Sequence, residues 1–168
     1  AADHGSPELL DKLIDKGANV NAVTVYMQTP LHVAIDRKKS GNANILIDRG
    51  ANLDAKDNML TTPLYIAIDL KLTDVAKKII ESGADINMKL RRDRTALQVA
   101  VAKNDIEVVT ALIDRGADVN AAGHLRKTAL DYAIDGENKE VAKILVENRA
   151  VANIPILGLL FGVLDRDT

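Results

Sequence analysis

The chain contains no cysteine, so it has no disulfide framework, no thiolate metal site and no cysteine nucleophile, and its redox compartment stays open. Tryptophan is also absent, and one Phe and three Tyr are the only aromatic residues in 168. A core must therefore be assembled from Ala, Val, Ile and Leu, side chains that suit many thin, repeated contacts rather than one thick core. An excess of one charge is lacking too. The 22 Lys plus Arg face 24 Asp plus Glu, a formal charge of −2. That balance argues against a general polyanion binder, because phosphate binding is driven by surplus cations that release counterions. Ala1-Ala2-Asp3-His4-Gly5 lacks the basic-then-apolar pattern of a secretory leader, so the expected location is intracellular, in the cytoplasm.

What the chain does have is a period. Thr29-Pro30-Leu31-His32-Val33-Ala34, Thr62-Pro63-Leu64-Tyr65-Ile66-Ala67, Thr95-Ala96-Leu97-Gln98-Val99-Ala100 and Thr128-Ala129-Leu130-Asp131-Tyr132-Ala133 start 33 residues apart. A second series, Gly17-Ala18-Asn19, Gly50-Ala51-Asn52, Gly83-Ala84-Asp85 and Gly116-Ala117-Asp118, keeps the same 33 and continues at Arg149-Ala150 without its glycine. Each Thr reads as a helix N-cap, with Pro30 and Pro63 at the first helical position, where no amide donor is needed. Leu31, Ala34 and Ile35 and their counterparts then give an apolar stripe at helical spacing. A second helix per unit carries Val75, Ala76, Ile79, Ile80 or Val108, Val109, Leu112, Ile113, and the glycine ends it in a left-handed residue. One such helix pair cannot bury its own apolar face, so stability must come from stacking.

The Thr-Pro-Leu-His-x-Ala start and the Gly-Ala-Asp-x-Asn end at this period resemble the ankyrin repeat family over residues 1 to about 155. The resemblance implies an all-α repeat solenoid of helix-turn-helix pairs, with a β-hairpin finger before each Thr and a concave face that binds another protein. It divides the chain into a partial repeat at 1–23, repeats at 24–56, 57–89, 90–122 and 123–155, and a capping segment at 156–168. The first unit shows only a second helix, around Glu8 to Lys16, which reads as a truncation or as preceding residues not shown. Where the family places a turn glycine two residues before each Thr, this chain has Met27, Leu60, Asp93 and Arg126. All four fingers are thus expected to diverge. Ser40-Gly41-Asn42-Ala43-Asn44 puts poor helix formers in an outer helix, where Gly alone costs roughly 1 kcal/mol relative to Ala. That segment is expected to be the softest inside the array. The tail Ile154 to Leu164 leaves the repeat and reads as a closing helix on the last unit, the alternative being a docking segment. Its apolar run of 11 residues is shorter than the about 20 needed to span a bilayer.

Catalytic signals are sparse. Three His and three Ser are scattered, and His32, replaced by Tyr65, Gln98 and Asp131 in the sister units, reads as a local partner of the helix start. No enzyme activity and no cofactor are expected. Asp36, Asp69 and Asp135 recur on one face, but stacked helices about 8–10 Å apart cannot bring three carboxylates within about 2.0–2.6 Å of one metal ion. They read as a solvated acidic ladder, with no metal site. Variation within the regular frame is greatest in the fingers, at Val25, Tyr26, Gln28; Asn58, Met59; Arg91, Arg92, Arg94; and His124, Leu125, Lys127. With Arg37, Leu70 and Lys103 from the inner helices, these residues make a face that is apolar toward the N-terminus and basic toward the C-terminus. Exposed apolar tips, Tyr and Arg suit a protein interface.

The expected partner is another protein with an acidic plus apolar segment, met by a monomeric, noncatalytic module. Few aromatic residues are available for base stacking, which argues against nucleic acid, and a membrane role is left only to Ile154 to Leu164. The alternatives are an interaction domain of a larger enzyme, channel or secreted effector, and an engineered ankyrin scaffold. Asn21, Asn87 and Asn120 follow the glycines where the resemblance implies substrates of an asparaginyl hydroxylase. Asn120, eight residues after Leu112, is the best match.

Overall fold

Four threonines start the inner helices in one way. Thr29, Thr62, Thr95 and Thr128 are extended, and each hydroxyl oxygen accepts the backbone N–H three residues on, from His32, Tyr65, Gln98 and Asp131. A computed structural model describes residues 6–90 and 93–153. The inner helices are α2 (Pro30–Asp36), α4 (Pro63–Asp69), α6 (Ala96–Ala102) and α8 (Ala129–Asp135), with Pro30 and Pro63 at the first turn. The outer helices are α1 (Pro7–Asp15), α3 (Ser40–Asp48), α5 (Thr73–Glu81), α7 (Ile106–Asp114) and α9 (Lys139–Glu147). Inner helices of 7 residues and outer helices of 9 are too short to persist alone in water, so tertiary packing has to hold them.

That packing is one-dimensional. Each inner helix lies against the outer helix that follows it, inner helices stack on inner, and outer on outer. Ala34, Ala67, Ala100 and Ala133 are fully buried between the inner helices, where a methyl group lets two backbones come close. Leu31, Ile35, Leu46, Ile68, Ile79, Leu97, Leu112 and Leu145 fill the space between the two rows. The backbone turns left-handed at Lys38, Lys71, Asn104 and Glu137 between the helices of each pair. It does so again at Gly17, Gly50, Gly83 and Gly116 after each outer helix, and at Arg149, where the glycine is missing.

A second frame runs along the loops. Asn21 Oδ1 accepts the Asn52 backbone N–H at 2.7 Å, Asp54 Oδ1 that of Asp85 at 2.9 Å, Asn87 Oδ1 that of Asp118 at 2.8 Å, and Asn120 Oδ1 that of Val151 at 2.7 Å. One side chain per unit thus pins the next. The last link holds the chain beyond α9, together with the Thr128 hydroxyl donating to the Val151 carbonyl and Asn153 Nδ2 donating to that of Arg126. The tail reading for Ile154 to Leu164 lies outside the described residues.

The Ser40 to Asn44 segment does form a helix. Its N-cap, Lys39, makes no side-chain capping bond. Asn42 is buried, and Asn44 Oδ1 is buried without a hydrogen-bond partner among the described residues. Gly41 has a packing reason, because a Cβ there would meet Pro7 Cγ of α1 at 3.0 Å. On its other side, α1 borders an apolar recess of about 330 Å³ whose lining includes Leu10, Leu13, Val33 and Leu46. No strand occurs among the described residues, and the segments expected as β-hairpins are tight loops.

Candidate protein-binding face

Each of those loops is closed at its base by a backbone hydrogen bond, and inside the first, second and fourth a turn bond runs from Met27, Leu60 and Arg126 N–H to the Thr24, Asp57 and Gly123 carbonyls. The N–H groups of Thr24, Asp57, Leu90 and Gly123 donate to the carbonyls of Gln28, Thr61, Arg94 and Lys127 at 2.9–3.0 Å. Such closures are too short for a ladder. The turn is completed by a left-handed residue two before each capping Thr, namely Met27, Leu60, Asp93 and Arg126, with φ between 54° and 59°. The glycine-free positions therefore take the same backbone that glycine would adopt. In the first finger Thr24 Oγ1 accepts from the N–H groups of Tyr26 and Gln28, both at 3.3 Å. In the second, Asp57 Oδ1 accepts from Met59 and Thr61, both at 2.9 Å. The two fingers are joined where Asn58 N–H donates to the Tyr26 carbonyl at 3.1 Å.

These closures drive the tips into solvent. Val25 is 91% exposed, Leu125 75%, Tyr26 61% and Met59 50%, so the finger residues picked for their variability are accessible. Asn58 and His124 are also exposed, whereas Gln28, Arg94 and Lys127 are half-buried at the finger bases. Arg91 and Arg92 lie outside the described residues. Arg37, Leu70 and Lys103 occupy one equivalent place, the C-cap of α2, α4 and α6. Val23, Met27 and Leu60, at 55%, 51% and 61% exposure, are accessible apolar residues that sequence reasoning missed. Their signal is in the sequence, since Met27 and Leu60 stand at the glycine places where the fingers are expected to diverge in backbone and side chain.

Asp36, Asp69 and Asp135 are exposed, as a solvated ladder would be, and each is also bonded within the chain. Asp36 accepts from Gln28 Nε2 at 3.0 Å, Asp69 pairs with Lys103 at 2.8 Å, and Asp135 pairs with Lys127. The carboxylates are thus engaged by residues expected to meet a partner, Asp36 and Asp135 by the finger base over the end of their own inner helix and Asp69 by the C-cap lysine of the next one. Lys127 also lies 5.8 Å from the Tyr132 ring centre. The Asp135 bond, ahead of its general attraction, holds the Lys127 ammonium pKa above the ordinary lysine value. Free positive charge on this face is therefore less than the residue count suggests, and Arg126 is an exposed cation of the fourth finger tip.

His32 is fully buried. Its Nδ1 accepts the Thr29 backbone N–H at 3.2 Å and lies 2.8 Å from Thr29 Oγ1, while Nε2 faces the Thr61 carbonyl at 3.2 Å. Those partners assign the proton to Nε2. Burial lowers its pKa below the ordinary histidine value. With both nitrogens engaged, the ring bridges one repeat to the next finger. Gln98 performs the same task, accepting from Thr95 N–H at 3.1 Å and donating to Ala121 and Lys127 carbonyls. Asp131, which cannot donate, accepts from Thr128 and from the Asn153 N–H instead. His32, Gln98 and Asp131 each supply an acceptor for the cap and a second contact to the neighbouring loop, whereas Tyr65 stands at a cap without that side-chain acceptor.

Asn120 N–H donates to Asp118 Oδ1 at 3.0 Å, and its amide nitrogen donates to the Arg149 carbonyl at 3.2 Å. Among the described residues no three His, Asp or Glu side chains gather as a metal site, and no helix is long and apolar enough to cross a membrane. No curated protein matches the chain closely enough to count as a relative. The family model for ankyrin repeats in three copies matches residues 1–90 and 88–155. Together with the capped helix pairs and their 33-residue stacking, this match places the chain in the ankyrin repeat family.

Proposed function

We propose that the chain is a noncatalytic module that binds a protein through the finger tips and the inner-helix ends. Ankyrin repeats are generally protein-protein interaction modules. One observation carries the reading for this chain: most of its accessible large apolar residues lie on the fingers, where Val25, Tyr26, Met59 and Leu125 are half exposed or more, while the inner-helix residues Leu31, Leu64, Leu97 and Leu130 are buried. Apolar tips at that exposure are tolerated where a partner covers them. The partner segment is apolar toward the first two fingers and acidic toward the last two, where Arg91, Arg92, Arg94 and Arg126 lie in sequence. Capture from a cell lysate tests this. Proteins held by the wild type should be lost by Tyr26→Ala/Met59→Ala/Arg91→Glu/Arg92→Glu, provided the variant melts like the wild type. Equal capture by both would move recognition to another face.

The proposal extends to Asn120 as the candidate for asparaginyl hydroxylation. Its support is the exposed loop and the spacing from Leu112. Mass spectrometry of the Asn120 peptide after treatment with such an enzyme should show one added oxygen atom, and an unchanged mass would remove the assignment.

A further inference from the structure

We infer that Met27 and Leu60, with Tyr26 and Met59 beside them, form the docking platform for an uncharged apolar segment of the partner protein. This rests on the binding-module reading above and names the chemistry that its N-terminal half would recognise. Elsewhere the chain treats left-handed backbone in two ways. After the outer helices it uses glycine four times, and between helices it uses Lys38, Lys71, Asn104 and Glu137, whose polar ends reach water. Large apolar residues take this conformation in the fingers alone among the described residues, at Met27 (φ 59°), Leu60 (φ 58°) and Leu125 (φ 56°). An L-residue is disfavoured there relative to glycine.

The same residues are 51%, 61% and 75% exposed, so they carry a second penalty, apolar surface left in water. Burial inside the chain covers less than half of each of these side chains. A position that is unfavourable twice, where glycine would serve, is explained by a contact outside the chain. The pair of N-terminal fingers makes one surface, because the Asn58 N–H bonded to the Tyr26 carbonyl sets the two tips side by side.

Charge then selects the occupant. From Ala22 to Gln28 the first finger has no ionisable group except Tyr26, and the second has none from Asn58 to Thr61. Asp57, at its base, is 7% exposed and turned onto the Met59 and Thr61 N–H groups. The tips therefore offer a partner no charge, and Lys56 and Arg37, exposed cations of these two units, sit at the finger base and the helix end rather than on the tips. A second copy of this chain is the weaker occupant. Val23, Val25, Tyr26, Met27, Met59 and Leu60 are six side chains, against roughly 20–30 residues a side in a standard stable interface. A linear segment with a few apolar anchors fits that size.

The test uses a displayed library of random linear peptides selected on the full chain, followed by fluorescence anisotropy with the enriched peptide. Three proteins are compared: the wild type, Met27→Gly/Leu60→Gly, and Met27→Asn/Leu60→Asn, which keeps a residue tolerant of the left-handed turn but removes the apolar contact. The enriched peptides should share an uncharged apolar run. Both variants should bind roughly tenfold or more weakly, with a melting temperature equal to or above that of the wild type for the glycine pair. Peptides without an apolar run, or unchanged affinity in both variants, would overturn the inference while leaving the module reading in place. Failure to enrich any peptide would remove both. Self-association of the wild type that the glycine pair abolishes, read by sedimentation, would assign the platform to a second copy and also overturn it.

Discussion

The helix starts and the finger tips lie within a few residues of each other and obey opposite physics. Thr29, Leu31 and His32 are 2%, 0% and 0% exposed, whereas Val25 and Tyr26 are 91% and 61% exposed. At the helix start the Thr hydroxyl accepts the same backbone N–H in every repeat, and His32, Gln98 and Asp131 each close the cap with a side-chain acceptor. At the tip the backbone pattern is conserved through the left-handed turn, while the side chains change freely and face water. The difference separates what holds the array from what is presented by it. Core and caps set the spacing of the fingers, and the fingers are free to differ because little inside the chain packs on their tips.

The largest expected effect breaks the frame. Leu97 is 1% exposed in the stack of inner helices, so Leu97→Ala should lower unfolding free energy by about 2–5 kcal/mol. Met59→Ala at a finger tip should change it by no more than about 0.5 kcal/mol. Chemical denaturation measures both, and similar losses would erase the distinction. Next comes a contrast between two outer helices. The buried Asn44 oxygen and Gly41 weaken α3 by on the order of 1–3 kcal/mol against an apolar helix such as α7. Amide exchange should be faster at residues 42–47 than at 108–113, and equal protection would show that α3 is no soft point.

A smaller effect reverses the usual sign of mutation. Met27→Gly or Leu60→Gly relieves a left-handed L-residue and should stabilise the array by about 0.5–1 kcal/mol each. Gly83→Ala, at φ 91° with no heavy atom within 4 Å of the new Cβ, should destabilise it by about 1 kcal/mol for the same backbone reason. Thermal melting of the three variants checks both signs. The smallest effect concerns pH. Burial lowers the His32 pKa in the folded array, so the unfolded chain binds a proton that the folded chain refuses. That contribution to stability is complete above about pH 6.5 and is lost as pH falls from there toward the folded value. His32→Gln, imitating Gln98, should flatten this part of the profile between about pH 7.5 and about pH 5.5, measured by denaturation midpoints.

Most of the frame was legible in the sequence because it depends on local chemistry that repeats. Thr before Pro-Leu at a fixed period announces a capped helix, and the glycine series announces the end of the next one, without any knowledge of partners. The finger residues were legible only as variable places. That Met27 and Leu60 would keep the left-handed turn could not be read, since their residue types oppose it and the loop's own bonds, from Met27 and Leu60 N–H to Thr24 and Asp57 and across the base to Gln28 and Thr61, hold it. The engagement of Asp36, Asp69 and Asp135 was hidden because it joins residues from separate segments or opposite ends of one unit. The Asn21, Asp54, Asn87 and Asn120 links were visible as a recurring polar place, and their meaning required the 31-residue step to the next loop.

The central claim is that recognition occupies the fingers and inner-helix ends while the outer row holds the structure. Hydrogen exchange of the chain with its captured partner bound, compared with the free chain, tests it most directly. The account predicts slowed exchange at residues 22–28 and 56–61 and around Arg37, Leu70 and Lys103, with α5, α7 and α9 unchanged. Protection confined to the outer helices, with the finger amides exchanging as in the free chain, would contradict it.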